Sequence, residues 1–234
     1  MTTPTPPDVS ALTIAVLGGT GPQGRGLAWR FALAGNSVVL GSRAAEKAVE
    51  AAAGLTADLG SAAAGPGAGA ITGADNAGAA QRGDVVIVAV PYDGHHELLL
   101  GLAPQLKGKI VIDCVNPLGF DRHGAFALPV QEGSAAQQAA AALPDSAVVG
   151  AFHHLSAVML LDQDVASVDA DVLVLGDDRT ATDTVQALAD RIPGMRGIYA
   201  GRLRNTAQVE ALTANLISVN RRYQAHAGLR VTDV

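Results

Sequence analysis

A glycine-rich turn between a short apolar run and a helical segment constrains this chain more than any other feature. Residues 12–17 (LTIAVL) are aliphatic and partly β-branched, and they run straight into Gly18-Gly19-Thr20-Gly21-Pro22-Gln23-Gly24. An amphipathic stretch, 25–34, follows, and Gly35-Asn36 stops it as a helix C-cap and turn would. A second strand at 37–40 (SVVL) and an Ala-rich helix at 44–59 continue a βαβ unit of roughly 30 residues. Gly19, Gly21 and Gly24 have the G-x-G-x-x-G spacing. In such a turn Gly19 permits the sharp bend, Gly21 lets the backbone approach a pyrophosphate, and Gly24 allows close helix–strand packing. The helix N-terminus offers unpaired N–H groups and the positive end of its dipole to phosphates. Pro22 suits the first helical turn, where its missing N–H costs nothing. Thr20 and Gln23 complete the loop as candidate contacts to a dinucleotide.

Strand and helix go on alternating. Residues 70–72 suggest a short strand and 75–81 a helix; residues 84–90 (DVVIVAV) form a continuous apolar run, as in strands covered on both faces. A helix is predicted over about 94–103, a strand over 109–113 (KIVID), a helix over 137–143 and a strand over 147–151. This succession implies a doubly wound, mostly parallel α/β sheet of the Rossmann type with right-handed crossovers. Beyond about residue 150 the alternation weakens. Residues 171–175 (DVLVL) and 197–200 bracket a helix over 180–191. Residues 203–227 read as one long helix, with Val209, Leu212, Leu216, Val219 and Tyr223 on a single stripe that suits a homodimer contact. The resulting division is a flexible Thr/Pro-rich tail at 1–10, a nucleotide-binding domain at 11–150 and a small C-terminal α/β capping domain at 151–234. Residues 60–69, rich in Gly, Ala and Pro, read as a loop.

The end of the second strand discriminates between dinucleotides. NAD-selective domains place an acid there for the ribose 2′-OH. Leu40-Gly41-Ser42-Arg43 has none, and Lys47 follows one helical turn after Arg43. A hydroxyl, a guanidinium and an ammonium would hold a 2′-phosphate that an acid would repel, so NADP(H) is expected, with Thr20 adding a hydroxyl from the other side. Ligands of open α/β sheets lie outside the carboxyl ends of the strands. Val90 and Pro91, ending one strand, are expected beside the dinucleotide. Asn116, after the next, is expected to orient the nicotinamide or its ribose.

The net charge of −6 argues against generic nucleic-acid binding, but it is unevenly spread. Residues 1–195 hold 10 Lys/Arg against 20 Asp/Glu, while 196–234 hold six Arg against Glu210 and Asp233. A basic end suits an anionic ligand; a solvated helix face or a dimer contact would look the same. The single cysteine, Cys114, leaves no disulfide framework and reads as a small buried hydrophobe. The first ten residues lack a basic and an apolar region, and no apolar run approaches the ~20 residues of a membrane span, so a soluble cytoplasmic protein is expected. Adjacent histidines diverge on strand or helix, so neither His95-His96 nor His153-His154 suits a metal, and none is expected.

The chain resembles the F420-dependent NADP reductase family. The resemblance rests on residues 16–21 (VLGGTG) with Gly24, Leu40-Gly41-Ser42-Arg43 with Lys47, Val90-Pro91, Asn116-Pro117-Leu118, Ala151-Phe152-His153, Asn205-Thr206 and residues 209–213 (VEALT). These matches are scattered over nearly the whole chain; His154 and Ser156 depart from the family's more usual Thr and Pro. The resemblance implies hydride exchange between the nicotinamide C4 and the deazaflavin C5 of coenzyme F420, with the rings stacked. It places His153 at the deazaflavin ring, assisted by the Leu155 backbone. Coenzyme F420 carries an anionic tail, which the basic C-terminal end would complement, with Arg202 and Arg204 as tail contacts. Both partners bring their own redox chemistry, so the protein need only position two rings and exclude water. That fits a sequence with no Ser/His/Asp, Lys/Tyr or paired-carboxylate constellation. Two other readings stay open: an NADP-dependent reductase of imines or metal-bound substrates, for which 151–234 is short of the usual helical dimerisation domain, and a non-enzymatic NADP(H)-sensing regulator.

Overall fold

Every residue of the first strand, β1 (Ile14–Leu17), is buried, because helices cover both faces of the sheet to which it belongs. The structure, a computed structural model, describes residues 6–61 and 67–234. After β1 come α1 (Pro22–Leu33), β2 (Val38–Ser42), α2 (Ala45–Ser61), β3 (Ile71–Asp75), α3 (Asn76–Arg82) and β4 (Val85–Val88). Then follow α4 (His95–Leu106), β5 (Ile110–Asp113), β6 (Leu118–Asp121), β7 (Gly124–Ala127), α5 (Ala135–Ala142) and β8 (Ala147–Gly150). The chain ends with α6 (Ala157–Leu161), β9 (Ala170–Gly176), α7 (Arg179–Asp190), β10 (Met195–Gly201) and α8 (Thr206–Tyr223).

Eight strands form one sheet in the order β10-β9-β8-β5-β4-β1-β2-β3, parallel throughout except where β9 meets β8. The chain winds outward from β1 to β3, returns to β4 and winds the other way, so the order reverses between β1 and β4. That reversal opens the crevice in which ligands of such sheets sit. One layer of core packs α1, α2, α6 and α7 on the sheet, the other α3, α4 and α5.

The parts beyond residue 150 are knitted into the same sheet. The expected domain boundary falls at the end of β8, yet Val149 and Gly150 pair with Gly176 and Leu175 of β9, and Val149, Val172, Val185 and Leu27 share one core. Arg30 of α1, only 2% exposed, fastens the two regions. Its guanidinium donates to the carbonyls of Met159, Leu160, Asp162 and Val165 at 2.7–2.9 Å, closing the end of α6 and the turn beyond it.

Three expectations change. Residues 1–5 of the expected tail lie outside the described residues, but the remainder is not free: Val9 is buried, and the Asn36 amide donates to the carbonyls of Val9, Ser10 and Leu12. Of the expected loop, 62–66 also lie outside the described residues; Gly69 donates to the Ala32 carbonyl at 2.8 Å. The final helix is shorter than its stripe suggests. It begins after a 3-10 turn at Leu203–Asn205 and ends where Gln224 turns left-handed (φ 51°), with Val209 buried but Val219 and Tyr223 exposed. Residues 118–127, unassigned from sequence, form the β6–β7 hairpin, whose turn is fixed by Asp121 Oδ1 accepting from the amides of His123 and Gly124. Among the described residues no helix is long and apolar enough to cross a membrane.

Asn36 is fully buried, and Arg191 donates to its Oδ1 at 3.2 Å. Asn36→Ala therefore strips a donor from buried carbonyls and is expected to lower the unfolding free energy by about 1–3 kcal/mol, measured by urea titration.

Candidate active site

The glycine turn sits at the strand-order reversal, and sterics dictate its composition. Gly18 has φ +72°, and a Cβ there would lie 2.6 Å from the Ala89 carbonyl oxygen. The left-handed bend therefore belongs to Gly18, one residue before the position assigned from spacing. Gly19 serves close approach instead: its Cβ would meet the Val16 carbonyl oxygen at 2.8 Å and the Leu40 side chain at 2.7 Å. A Cβ on Gly24 would fall 2.8 Å from both the Gly18 carbonyl oxygen and the Gly19 Cα, so only hydrogen lets α1 settle on the turn. Gly21 is different. Its nearest neighbour would be 3.5 Å away, which leaves its outer face open. Gly21 caps α1 without a side-chain acceptor and Pro22 occupies the first turn, so the leading amides of the helix are left to a ligand. Thr20 is half-buried beside them.

At the end of β2, Ser42 is buried and its Oγ accepts from the Ala44 amide at 3.4 Å, while Arg43 and Lys47 are exposed and make no side-chain hydrogen bond or ion pair among the described residues. The sheet brings in an acid that spacing hid. Asp75 of β3 stands in register with Ser42, but its carboxylate already accepts from the Gly78 amide at 2.6 Å as the cap of α3. Next to it, the buried Asn76 Oδ1 has no hydrogen-bond partner among the described residues and faces Gly41. The corner thus holds Arg43 and Lys47 without a partner among the described residues, a charge pattern that fits a phosphate.

Val90 packs against the glycine turn. Pro91 and Asn116, beyond β4 and β5, border a cavity of about 760 Å³ together with Tyr92, Phe120 and Gln138, which the sequence pattern did not mark, and His96, considered there only as a metal ligand. Asn116 is not free to hold a nicotinamide with its whole amide. It donates to the His153 carbonyl at 2.9 Å, and its Oδ1 receives the Thr213 hydroxyl at 3.2 Å.

His153 belongs to a segment clasped from several sides. Gln23, expected as a loop contact, donates to the Phe152 carbonyl at 3.2 Å. Phe152 itself has φ +63°, a strained conformation for a bulky residue, held by full burial and an edge-on contact with Phe31 at 5.9 Å. His154 Nε2 donates to the Asp171 carbonyl at 2.8 Å, and Leu155 is buried. His153 is 3% exposed, and neither ring nitrogen has a hydrogen-bond partner among the described residues. Burial pushes its pKa down to about 4, a nearby Asp113 opposing and His154 adding to the fall, so the ring is neutral at pH 7. Burial likewise lowers His154.

Half of the six arginines at the basic C-terminal end, Arg196, Arg202 and Arg230, are engaged within the molecule. Arg196 and Arg230 both grip the buried Asp171, whose amide and carboxylate also bind the strap at Leu229 and Val231. The Arg196 bonds, with those of Val231 and Arg230, hold the Asp171 carboxyl well below the usual range despite burial. Arg202 donates to the Asp177 carbonyl at 3.1 Å and borders a separate cavity of about 610 Å³ with Arg179, Asp183 and Tyr199. Arg204 is exposed without a partner among the described residues. The structure thus does not bring Arg202 to the cavity at Asn116. Among the described residues no group of three or more His, Cys, Asp or Glu is arranged to hold a metal ion.

Comparison with known proteins decides the family. The profile of "NADP oxidoreductase coenzyme F420-dependent" matches residues 13–117. An F420-dependent NADP reductase of Methanothermobacter marburgensis is 40% identical over 233 residues, 95% of this chain and 99% of the relative. Its counterpart from Methanocaldococcus jannaschii is 38% identical over 236 residues, again 95% of this chain and 99% of the relative. The chain belongs to the F420-dependent NADP reductase family. A solved structure from Arthrobacter sp. FB24, of a protein assigned to the F420-dependent NADP-reductases, has a TM-score of 0.76 and 26% identity, covering 95% of this chain and all of its own. In this family member the profile match ends at Pro117, just past Asn116 and before the Phe152–Leu155 segment.

A buried neutral His153 has a sign-defined consequence. Its folded pKa lies below the ordinary 6.5, so its contribution to stability is present above pH 6.5 and is lost as pH falls towards about 4. His153→Gln is expected to flatten the acid-side decline, read from denaturation midpoints at pH 7, 5.5 and 4.5.

Proposed function

We propose that this chain is an NADPH:F420 oxidoreductase. The observation that carries the NADP half is the phosphate corner: an uncapped α1 N-terminus beside the open face of Gly21, with Arg43 and Lys47 unpartnered among the described residues and Asp75 spent on α3. The F420 half rests on the near-full-length relatives, which are F420-dependent NADP reductases. When bound, the nicotinamide and the deazaflavin supply the redox chemistry, a hydride passing between C4 of one and C5 of the other. The chain's own residues bind, orient and exclude water. Gly19, Thr20, Gly21 and the first turn of α1 receive the pyrophosphate, while Ser42, Arg43 and Lys47 receive the 2′-phosphate. Val90 and Pro91 line the path to the ends of β4 and β5. We assign neutral His153, its ring nitrogens without partners among the described residues, and the Leu155 backbone to the deazaflavin ring. Arg204, unpaired among the described residues, is the better candidate of the two expected tail contacts.

We place the protein in the cytoplasm as a homodimer. Exposed Val219 and Tyr223 on the outer half of α8 support a self-contact, which light scattering of wild type and Tyr223→Glu tests.

Mixing the protein with NADPH and oxidised coenzyme F420 is expected to bleach the deazaflavin's visible absorbance. Tight NADPH binding with no turnover would instead favour an NADP(H) sensor. Arg43→Ala is expected to weaken NADPH about ten- to a hundredfold, the worth of one charge-assisted pair, and to leave NADH nearly unchanged. Equal losses for both nucleotides in a binding titration would remove the assignment of Arg43 to the 2′-phosphate.

A further inference from the structure

Beneath the cavity at Asn116 lies a buried polar chain that the reading above does not use. His95, the first residue of α4, is fully buried, as is Asp113 at the end of β5. His95 Nε2 lies 2.6 Å from Asp113 Oδ2, and its Nδ1 lies 3.1 Å from Gln138 Oε1 on α5. The orientation of the Gln138 amide is fixed from its far side, where Nε2 donates to the Glu132 carboxylate at 3.1 Å. Gln138 therefore turns its carbonyl oxygen to His95. A carbonyl and a carboxylate only accept, so both ring nitrogens must donate, and the imidazole that satisfies both is doubly protonated. Burial opposes that charge, but the hydrogen bond and charge of Asp113, with Gln138 and the carboxylate of Glu210, raise the His95 pKa above its ordinary value. The groups facing the ring are Asp113 from β5, Gln138 from α5, Glu210 from α8, and Tyr92 at 6.3 Å between ring centres. Glu210, whose carboxyl burial pushes up to about 7, binds the amides of Ala135 and Ala136 at the start of α5.

The other end of the chain reaches the candidate active site. Asp113 Oδ1 accepts the Val115 amide at 3.0 Å, which sets the loop after β5. Three residues past Asp113, Asn116 clasps the His153 carbonyl, and Thr213 of α8 donates to both ends of that clasp. His95 itself follows directly on the loop carrying Pro91 and Tyr92. One imidazolium thus ties the loops after β4 and β5 to Gln138 of α5, three of the parts that line the cavity beside the start of α4 and the β6–β7 hairpin.

We propose that His95 is a positioning residue for hydride transfer: as a buried imidazolium between Asp113 and Gln138, it holds the loops after β4 and β5 in register and so sets Asn116 and the His153 segment. This rests on the reading of the chain as an NADPH:F420 oxidoreductase. It separates residues that hold the second ring in place from the NADPH corner, which lies across β1 at the ends of β1 and β2. An error of order 1 Å in the placement of reacting groups costs up to about a hundredfold in rate, so loosening this tie acts on kcat.

The test uses the whole protein. Asp113→Asn keeps the shape but removes the charge that makes the ring an imidazolium; Gln138→Ala, at a half-buried position, removes the other acceptor. Both are expected to lower kcat for F420 reduction, Asp113→Asn by about ten- to a hundredfold, while the binding affinity for NADPH, carried by the phosphate corner, stays nearly unchanged in a titration. An unchanged kcat, or a parallel loss of NADPH affinity, overturns the proposal. Should Asp113→Asn fail to fold, the ring-nitrogen NMR spectrum of ¹⁵N-histidine-labelled wild type decides the charge state. Two protonated nitrogens on His95 at pH 7.5 are expected, and one bare nitrogen overturns the imidazolium. A wild type that reduces no F420 sinks the functional reading; a wild type that does, with variants equally fast, sinks this proposal alone.

Discussion

The close approach of α1 to the turn after β1 is the constraint on which the rest of the molecule depends. Atoms at Gly18, Gly19 and Gly24 come together at distances that admit no side chain, so the helix can start directly above the end of the strand. That placement puts its unpaired amides at the strand-order reversal, where a helix dipole and a crevice coincide. It also sets the tilt of α1, and through α1 everything that hangs on Gln23, Arg30 and Phe31. A single packing requirement thereby serves both the architecture and the anion site.

From α1 the dependence runs outward to the second half of the chain. Arg30 closes the end of α6 with four carbonyl bonds, Gln23 reaches the strained Phe152 peptide, and Phe31 supports the Phe152 ring. On the other side of the sheet, Asn116 and Thr213 hold the His153 carbonyl. The segment 152–154 is therefore not a loop laid over the sheet. It is a peptide suspended between α1, the end of β5, β9 and α8, and its left-handed residue persists because those contacts over-determine it. A histidine kept neutral there by burial, with both nitrogens unpaired among the described residues, is costly unless something else uses it.

Local patterns made much of this legible. The apolar runs at 12–17, 84–90, 109–113 and 171–175 became β1, β4, β5 and β9, because a strand covered on both faces must be apolar along its length. The cations after β2 were visible because they are adjacent in sequence. Pairings across the sheet were not. Nothing near Ser42 in the chain announces Asp75, which arrives by register between β2 and β3. The arginines of the last forty residues look like an open basic surface until Asp171 and Asp169 are brought against Arg196 and Arg230. The β6–β7 hairpin escaped because two four-residue strands with exposed Phe120 and Phe126 carry no clear alternation.

Sequence alone determined that this chain would build a parallel sheet around a glycine turn and carry two cations with no acid beside them after the second strand, since both follow from residues close together along the backbone. Only the tertiary structure decided which polar groups remain available. Asn116 and Gln23 were turned to backbone carbonyls, and His95 and Asp113, eighteen residues apart, were buried as a pair. The physical reason is that a polar side chain out of water must find a partner, and the partner nearest in space is chosen by the packing of sheet and helices, not by distance along the chain.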